Sequence, residues 1–289
     1  LGSVWKKVLD ITVIVFLVGV VIIYNIITYK VMGSFFYEAG VFSEYSSLKT
    51  FYDDSLWSEF WFKLVVIMGM AVLIILPLNL MNEINKHRFT TLIGVLCSVY
   101  ILVLVVIQLP VYLDNYWDNE YKESDPDTHI NWYDITKSFG KDLVFFKAAS
   151  SMIYANTIHL GAFPVYAKIT NNSKKRSNKI FTSALVFNNV VFLILGITGY
   201  LTQPVGTPDM IIMREKIAGS NDLGMILGRA LLILVFIAKL PVTYVALRIS
   251  IFSLIWGTTE ITTKRNVLVT IPVTVVSAII AASYSDLSE

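Results

Sequence analysis

Apolar runs long enough to cross a bilayer recur seven times in this 289-residue chain, at about 8–30, 60–82, 89–110, 143–167, 181–203, 223–256 and 267–284. A hydrocarbon core about 30 Å thick calls for about 20 apolar residues per helix. Backbone groups inside it must be satisfied within the segment, which leaves helices or closed barrels as the spanning structures. Runs of this length fit helices, so the sequence predicts an all-α polytopic membrane protein with about seven transmembrane helices. Composition agrees: 55% of residues are hydrophobic, 15% are charged and the mean hydropathy is +0.66, against about 45–50% and about 25% in soluble domains.

Charge sets the expected sidedness. Alternating the segments places Lys6, Lys7, Lys86, Arg88, Lys168, Lys174, Lys175, Arg176, Lys179, Lys264 and Arg265 on the side where the chain starts. Their connections are short, where the positive-inside rule applies, so that side is predicted cytosolic, with the amino terminus inside and the carboxyl terminus outside. Acids collect opposite, at Glu38, Glu44, Asp53, Asp54 and Glu59 and along the 111–141 connection, whose Tyr112, Tyr116, Trp117, Trp132 and Tyr133 read as interfacial anchors. The 34-residue run at 223–256 is too long to stand upright and is expected to tilt or to extend past the membrane near Arg248. The abrupt start at Leu1 and the end just after an apolar run lead us to expect a piece of a longer protein.

Several chemistries lack their residues. Cys97 is the sole cysteine and lies in an apolar run, which gives neither a disulfide framework nor a cysteine metal cluster. The patterns GxxxxGK[ST], HExxH and GxSxG are missing, so nothing points to a phosphate loop, a zinc protease or an esterase. No enzyme activity and no cofactor are expected, and a net charge of +2 gives no reason to expect nucleic acid as a partner.

Two places inside the apolar runs are polar. The stretch 155–179 carries Asn156, Thr157 and His159 where a span is driest, then Gly161 and Pro164, and leaves through Lys174, Lys175, Arg176 and Lys179. That order fits a broken spanning helix with a polar centre, the kind of place where a midplane binding site is built. Lys239, beside Pro241, occupies the middle of the sixth run. A central lysine costs about 2.5–3.5 kcal/mol on insertion scales, so it is expected to face the protein interior with a partner, and it is a candidate proton acceptor. A permanently charged, purely structural lysine, and a histidine that only bonds its neighbour helix, are the plainer alternatives.

In their order along the chain these segments resemble the amino acid/auxin permease family, which includes neutral amino acid transporters of animals. Residues 8–32, with Gly19 and Tyr24 in a Gly–x4–Tyr pattern, look like its third helix. The stretch from Pro77, PLNLMNEINKHRFTTLIGVLCSVY, is similar to its helix 4 to helix 5 hairpin. His159 with Phe163-Pro164-Val165-Tyr166 resembles the family's His-Pro-x-x-Leu-Pro-Ile-Tyr on helix 6, Gly199-Tyr200-Leu201-Thr202 matches the end of helix 7, and Pro241 and Arg248 keep a helix 8 spacing.

The resemblance implies a 5+5 inverted-repeat, LeuT-like fold of the amino acid–polyamine–organocation superfamily, represented here by helices 3 to 9 and incomplete at both ends. Residues 1–110 would belong to the first repeat, 111–141 to an outer loop and 142–289 to the second repeat. It implies an amino acid substrate held by Asn156, Thr157, His159, Gly161 and Tyr24, with helix 1 absent from the sequence. A bundle of 143–167 and 181–203 would rock against a scaffold of 8–30, 60–82, 223–256 and 267–284. Two positions depart from the family: Lys168 stands where an acid is usual, and Lys239 where sodium-coupled relatives carry a helix 8 threonine. A fixed ammonium repels a cation site, so the expected transport needs no sodium, and the proton is the coupling ion in view. Plasma membrane and a vacuolar or lysosomal membrane both stay open. The other classes in view are an amino acid sensor that does not transport and a seven-helix receptor or retinal protein, the latter disfavoured by the predicted orientation.

Overall fold

The computed structural model describes residues 3–42, 44–45, 51–52, 54–80, 88–115, 173–202, 210–214, 222–258 and 262–284. Among them the secondary structure is helical with no strand, and six helices are long and apolar enough to cross a membrane: α1 (Ser3–Glu38), α2 (Phe60–Asn79), α3 (Arg88–Asn115), α4 (Lys174–Thr202), α5 (Leu223–Trp256) and α6 (Thr263–Ser283). The protein is therefore a polytopic membrane protein. The seventh expected span, 143–167, lies outside the described residues.

Two helices extend beyond the apolar runs that announce them. α1 has 36 residues, about 54 Å at 1.5 Å per residue, because Lys6 and Lys7 at one end and the stretch to Glu38 at the other continue its turns past the hydrocarbon. α4 begins at Lys174, not near 181, because Ser173 Oγ accepts the amide of Arg176 at 3.2 Å and starts the helix there. The basic run is thus helical rather than a loop. α5 has the length the sequence predicts. Asp222 Oδ1 accepts the Met225 amide at 3.1 Å at its start, and Gly257, at φ 64°, takes the left-handed position that closes its end. In α2 the turn Ala71–Ile75 widens to a π-helical turn. Pro77 follows it, and a proline ring crowds the carbonyl four residues back, which the wider turn accommodates.

The chain forms two compact units, one of residues 1–101 with 221–289 and one of residues 102–220. In the first unit α1, α2, α5 and α6 pack on one another, and α1 against α5 is the most extensive pairing. These are the four segments grouped by the resemblance as a scaffold. Its centre is Val21, Ile75, Leu240 and Tyr244, one or more from each of three helices, with Tyr24 and Val273 against them. The helix ends alternate: the end of α1 meets the start of α5 through Glu38 and Arg229, whereas the end of α2 meets the late part of α5 and the start of α6 through Asn79, Arg248 and Asn266.

An aromatic cap lies over the last turns of α1. The Trp57 indole stacks on Tyr29 with centroids 5.1 Å apart, and the Tyr29 hydroxyl donates to the Trp57 carbonyl at 2.6 Å. Gly33 makes this approach possible, since a Cβ there would sit 2.5 Å from Trp57 Nε1. The Tyr52 hydroxyl donates to the Lys30 carbonyl, and burial pushes that phenol well above its ordinary range. In the second unit the buried Arg214 guanidinium lies 3.7 Å above the Tyr112 ring and donates to Gln108 Oε1, which fixes the Ile211–Met213 turn against the last turns of α3.

Candidate functional site

Asn156, Thr157, His159 and Gly161 lie outside the described residues. Of the expected site, Tyr24 and Lys239 remain. Tyr24 is half-buried in the middle of α1, with its ring 5.7 Å from that of Phe236 on α5 and its backbone carbonyl accepting the Thr28 hydroxyl at 2.6 Å. It borders the core cluster of the first unit, so packing holds its ring on the seam between α1 and α5.

Lys239 does not turn inward as the sequence predicts. It is exposed, and no partner for its ammonium falls among the described residues. The geometry of α5 explains this. Leu240, Tyr244, Leu247 and Arg248 set the buried face, and at about 100° per residue Lys239 falls with exposed Val242 on the flank outside it. What the backbone offers is the Lys239 carbonyl, which accepts the Thr243 hydroxyl at 3.4 Å.

The charge that does turn inward on α5 is Arg248, 1% exposed. Its Nε donates to the Tyr244 carbonyl at 3.2 Å, and its Nη1 donates both to the Asn79 carbonyl at the end of α2 and to Asn266 Oδ1 at the start of α6. Asn266 Nδ2 reaches the Leu80 carbonyl at 3.4 Å. A guanidinium carries five donors in a fixed fork, and here the fork binds the carbonyl end of α2, where the helix dipole is negative. Arg248 Nη2 and both polar atoms of the Asn79 side chain are buried with no hydrogen-bond partner among the described residues. Hydrogen-bonding capacity is therefore left over where these three helices meet.

At the opposite ends of the same helices Arg229 Nη1 lies 3.6 Å from Glu38 Oε1, with side chains 2% and 3% exposed. Lys63 Nζ donates to the Tyr284 carbonyl at 3.1 Å and ties the start of α2 to the end of α6. Between these ends α6 carries a buried polar stripe, Asn266, Thr270, Thr274 and Ser277, each 2% exposed or less. Thr270 Oγ1 donates to Asn266 Oδ1 at 3.1 Å, Thr274 Oγ1 to the Thr270 carbonyl at 2.8 Å and Ser277 Oγ to the Thr274 carbonyl at 3.0 Å. The groups of this unit can orient helices and pair with polar ligands, and no cluster among the described residues could hold a metal ion.

Comparison with known proteins identifies the family. The family model described as "Transmembrane amino acid transporter protein" matches residues 1–289. The chain belongs to the transmembrane amino acid transporter family. Its relatives include the sodium-coupled neutral amino acid transporter 7 of Xenopus laevis, 26% identical over 174 residues, 60% of this chain and 35% of the relative. The sodium-coupled neutral amino acid symporter 2 of Danio rerio is 23% identical over 228 residues, 76% of this chain and 45% of the relative. The vacuolar amino acid transporter 7 of Saccharomyces cerevisiae is 23% identical over 185 residues, 64% of this chain and 36% of the relative. The chain thus spans less than half the length of these curated relatives. No solved structure matches it. The family and these relatives are transporters and not enzymes, as the missing catalytic motifs predict.

For a member of the transmembrane amino acid transporter family, the residues that sequence reasoning passed over are Arg229, Asn79 and the α6 stripe. The stripe had a readable signal, since Asn266, Thr270, Thr274 and Ser277 recur at intervals of four, four and three within an apolar run, one face of a helix. Glu38 with Arg229 had none, because the two are brought together only when α1 packs on α5.

Proposed function

We propose that the protein containing this chain is a secondary active transporter that moves neutral amino acids across a membrane by alternating access. The observation that carries this reading is the match of the transporter family over residues 1–289, supported by relatives whose names specify neutral amino acid and vacuolar amino acid transport. The packed set α1, α2, α5 and α6 serves as the scaffold of an inverted-repeat fold, stapled at its two ends by Arg248 and by Arg229 with Glu38. The amino acid is held by Asn156, Thr157, His159 and Gly161, with Tyr24 contributed from α1. The membrane is the plasma membrane or that of a vacuole or lysosome, and the end carrying Lys6 and Lys7 is cytosolic.

Transport needs no sodium in this reading, although two of the relatives are named sodium-coupled. Lys239 puts an ammonium where the family resemblance places a sodium-binding threonine. The test is uptake of a radiolabelled amino acid mixture by the full-length protein in proteoliposomes, with sodium and proton gradients imposed separately and Lys239→Thr alongside. Flux that follows the proton gradient and loses that dependence in the variant supports the proposal. Flux driven only by sodium overturns the coupling, and binding with no flux under either gradient turns the reading to a sensor.

A further inference from the structure

We propose that the first turns of α4 are a docking surface for anionic phospholipid headgroups that carry phosphomonoesters. Lys174, Lys175, Arg176 and Lys179 are all exposed on this helix. The Ser173 cap makes them part of a fixed turn, so the four cations stand within about 8 Å along the axis at 1.5 Å per residue. At about 100° per residue they cover one broad side of α4. Ser177, the buried residue of these turns at 4% exposure, faces roughly the other way. The four charges thus stand on the side of α4 away from Ser177.

Nothing inside the described protein balances those charges. The first turn of α4 holds no acidic residue, and no acidic side chain among the described residues pairs with any of the four. Cations at a helix start also oppose the helix dipole, which favours anions there. An anion from outside satisfies both. The length of α4 fixes where that anion is: 29 residues reach about 43 Å, whereas about 20 residues cross the hydrocarbon. From Val186 to Ile197 the exposed side chains include Val186, Phe187, Val190, Leu193 and Ile197, which suit lipid tails. The surplus of the helix, with the basic turns, therefore lies at headgroup level. Clustered Lys and Arg next to a span attract anionic lipid at about fivefold per charge. Four cations on one and a half turns match a headgroup carrying several negative charges better than one carrying a single charge.

The test uses the full-length protein in detergent micelles doped with phosphatidylcholine, phosphatidylserine or a phosphatidylinositol bisphosphate bearing a fluorophore, with energy transfer from protein tryptophans as the readout. We expect binding of the bisphosphate lipid that weakens with salt. Each of Lys174→Gln, Lys175→Gln, Arg176→Gln and Lys179→Gln should lower its affinity by about fivefold, and Lys175→Arg should keep it. Micelles remove any effect of the charges on membrane orientation, and salt titration of the wild type tests the same charges should a variant fail to fold. Soluble inositol polyphosphate that binds as tightly as the lipid would assign the surface to free phosphate compounds and overturn the proposal. Equal binding by wild type and variants would overturn it too. Neither outcome depends on transport.

Discussion

Arg248 on α5 and Asn266 on α6 meet at one oxygen: Arg248 Nη1 and Thr270 Oγ1 both donate to Asn266 Oδ1. The same Nη1 donates to the Asn79 carbonyl at the end of α2. One buried side chain thereby sets the spacing of three helix ends in the first unit. Replacing Arg248 with Met keeps the volume and removes every donor, leaving the Asn79 carbonyl and Asn266 short of partners. Charged hydrogen bonds are worth about 1.5–3 kcal/mol each, so the expected loss is about 2–4 kcal/mol. Thermal unfolding of the full-length protein in detergent should show a lower midpoint, and Arg248→Lys should recover less than half of it, because an ammonium lacks the planar fork. An unchanged midpoint for Arg248→Met would mean that the clasp contributes nothing.

Glu38 and Arg229 form a pair whose value depends on both members being present. Removing one takes away the partner of a buried charge, and breaking a buried pair in this way costs about 3–5 kcal/mol. Replacing both with apolar residues of similar size is often close to neutral. Unfolding midpoints for Glu38→Leu, Arg229→Met and the double variant should therefore show each single lower than the double. Additive losses would show that the two side chains act independently.

Gly33 is required by the indole beside it. A methyl group at 33 would press 2.5 Å from Trp57 Nε1, and Gly33→Ala should cost about 1–3 kcal/mol through forced displacement of the aromatic cap. Phenylalanine lacks the five-membered ring that carries that nitrogen. Adding Trp57→Phe to Gly33→Ala should therefore cost less than the sum of the two single changes, and a strictly additive result would place the effect of the alanine elsewhere.

Tyr52 gives the cap a pH dependence. Burial holds its phenol above the ordinary value of 10.0, and the neutral hydroxyl donates to the Lys30 carbonyl. The unfolded chain releases this proton near pH 10 while the folded chain keeps it, so the unfolded state binds fewer protons there and stability falls as pH rises. The contribution is fully present below pH 10 and is lost above it. Midpoints measured from about pH 8 to about pH 11 should decline more steeply for the wild type than for Tyr52→Phe. Parallel curves would contradict the assignment.

Lys239 and Arg248 show how far polar residues inside apolar runs can be read. Both lie on the sixth apolar run and both read as special from sequence, yet Lys239 is exposed and Arg248 is 1% exposed. Nothing in the residues themselves says which is buried: nine residues are about two and a half turns, so the two side chains leave the helix on opposite sides. Tyr24 was legible as a residue of the middle of α1, but its place against Phe236 depends on α5. The α6 stripe was legible in its spacing, though its partner Arg248 was not.

What the sequence determined by itself is the set of spans and their all-helical character. A helix in lipid satisfies its backbone within one segment, so about 20 apolar residues carry the whole instruction. Their order also carried the family resemblance. The tertiary structure decided which polar side chain on each helix is buried and what it binds, since that depends on which face a neighbouring helix covers. It joined Asn79, Arg248 and Asn266, and Glu38 with Arg229, across long separations in sequence. Such choices rest on contacts between segments, which no single segment encodes.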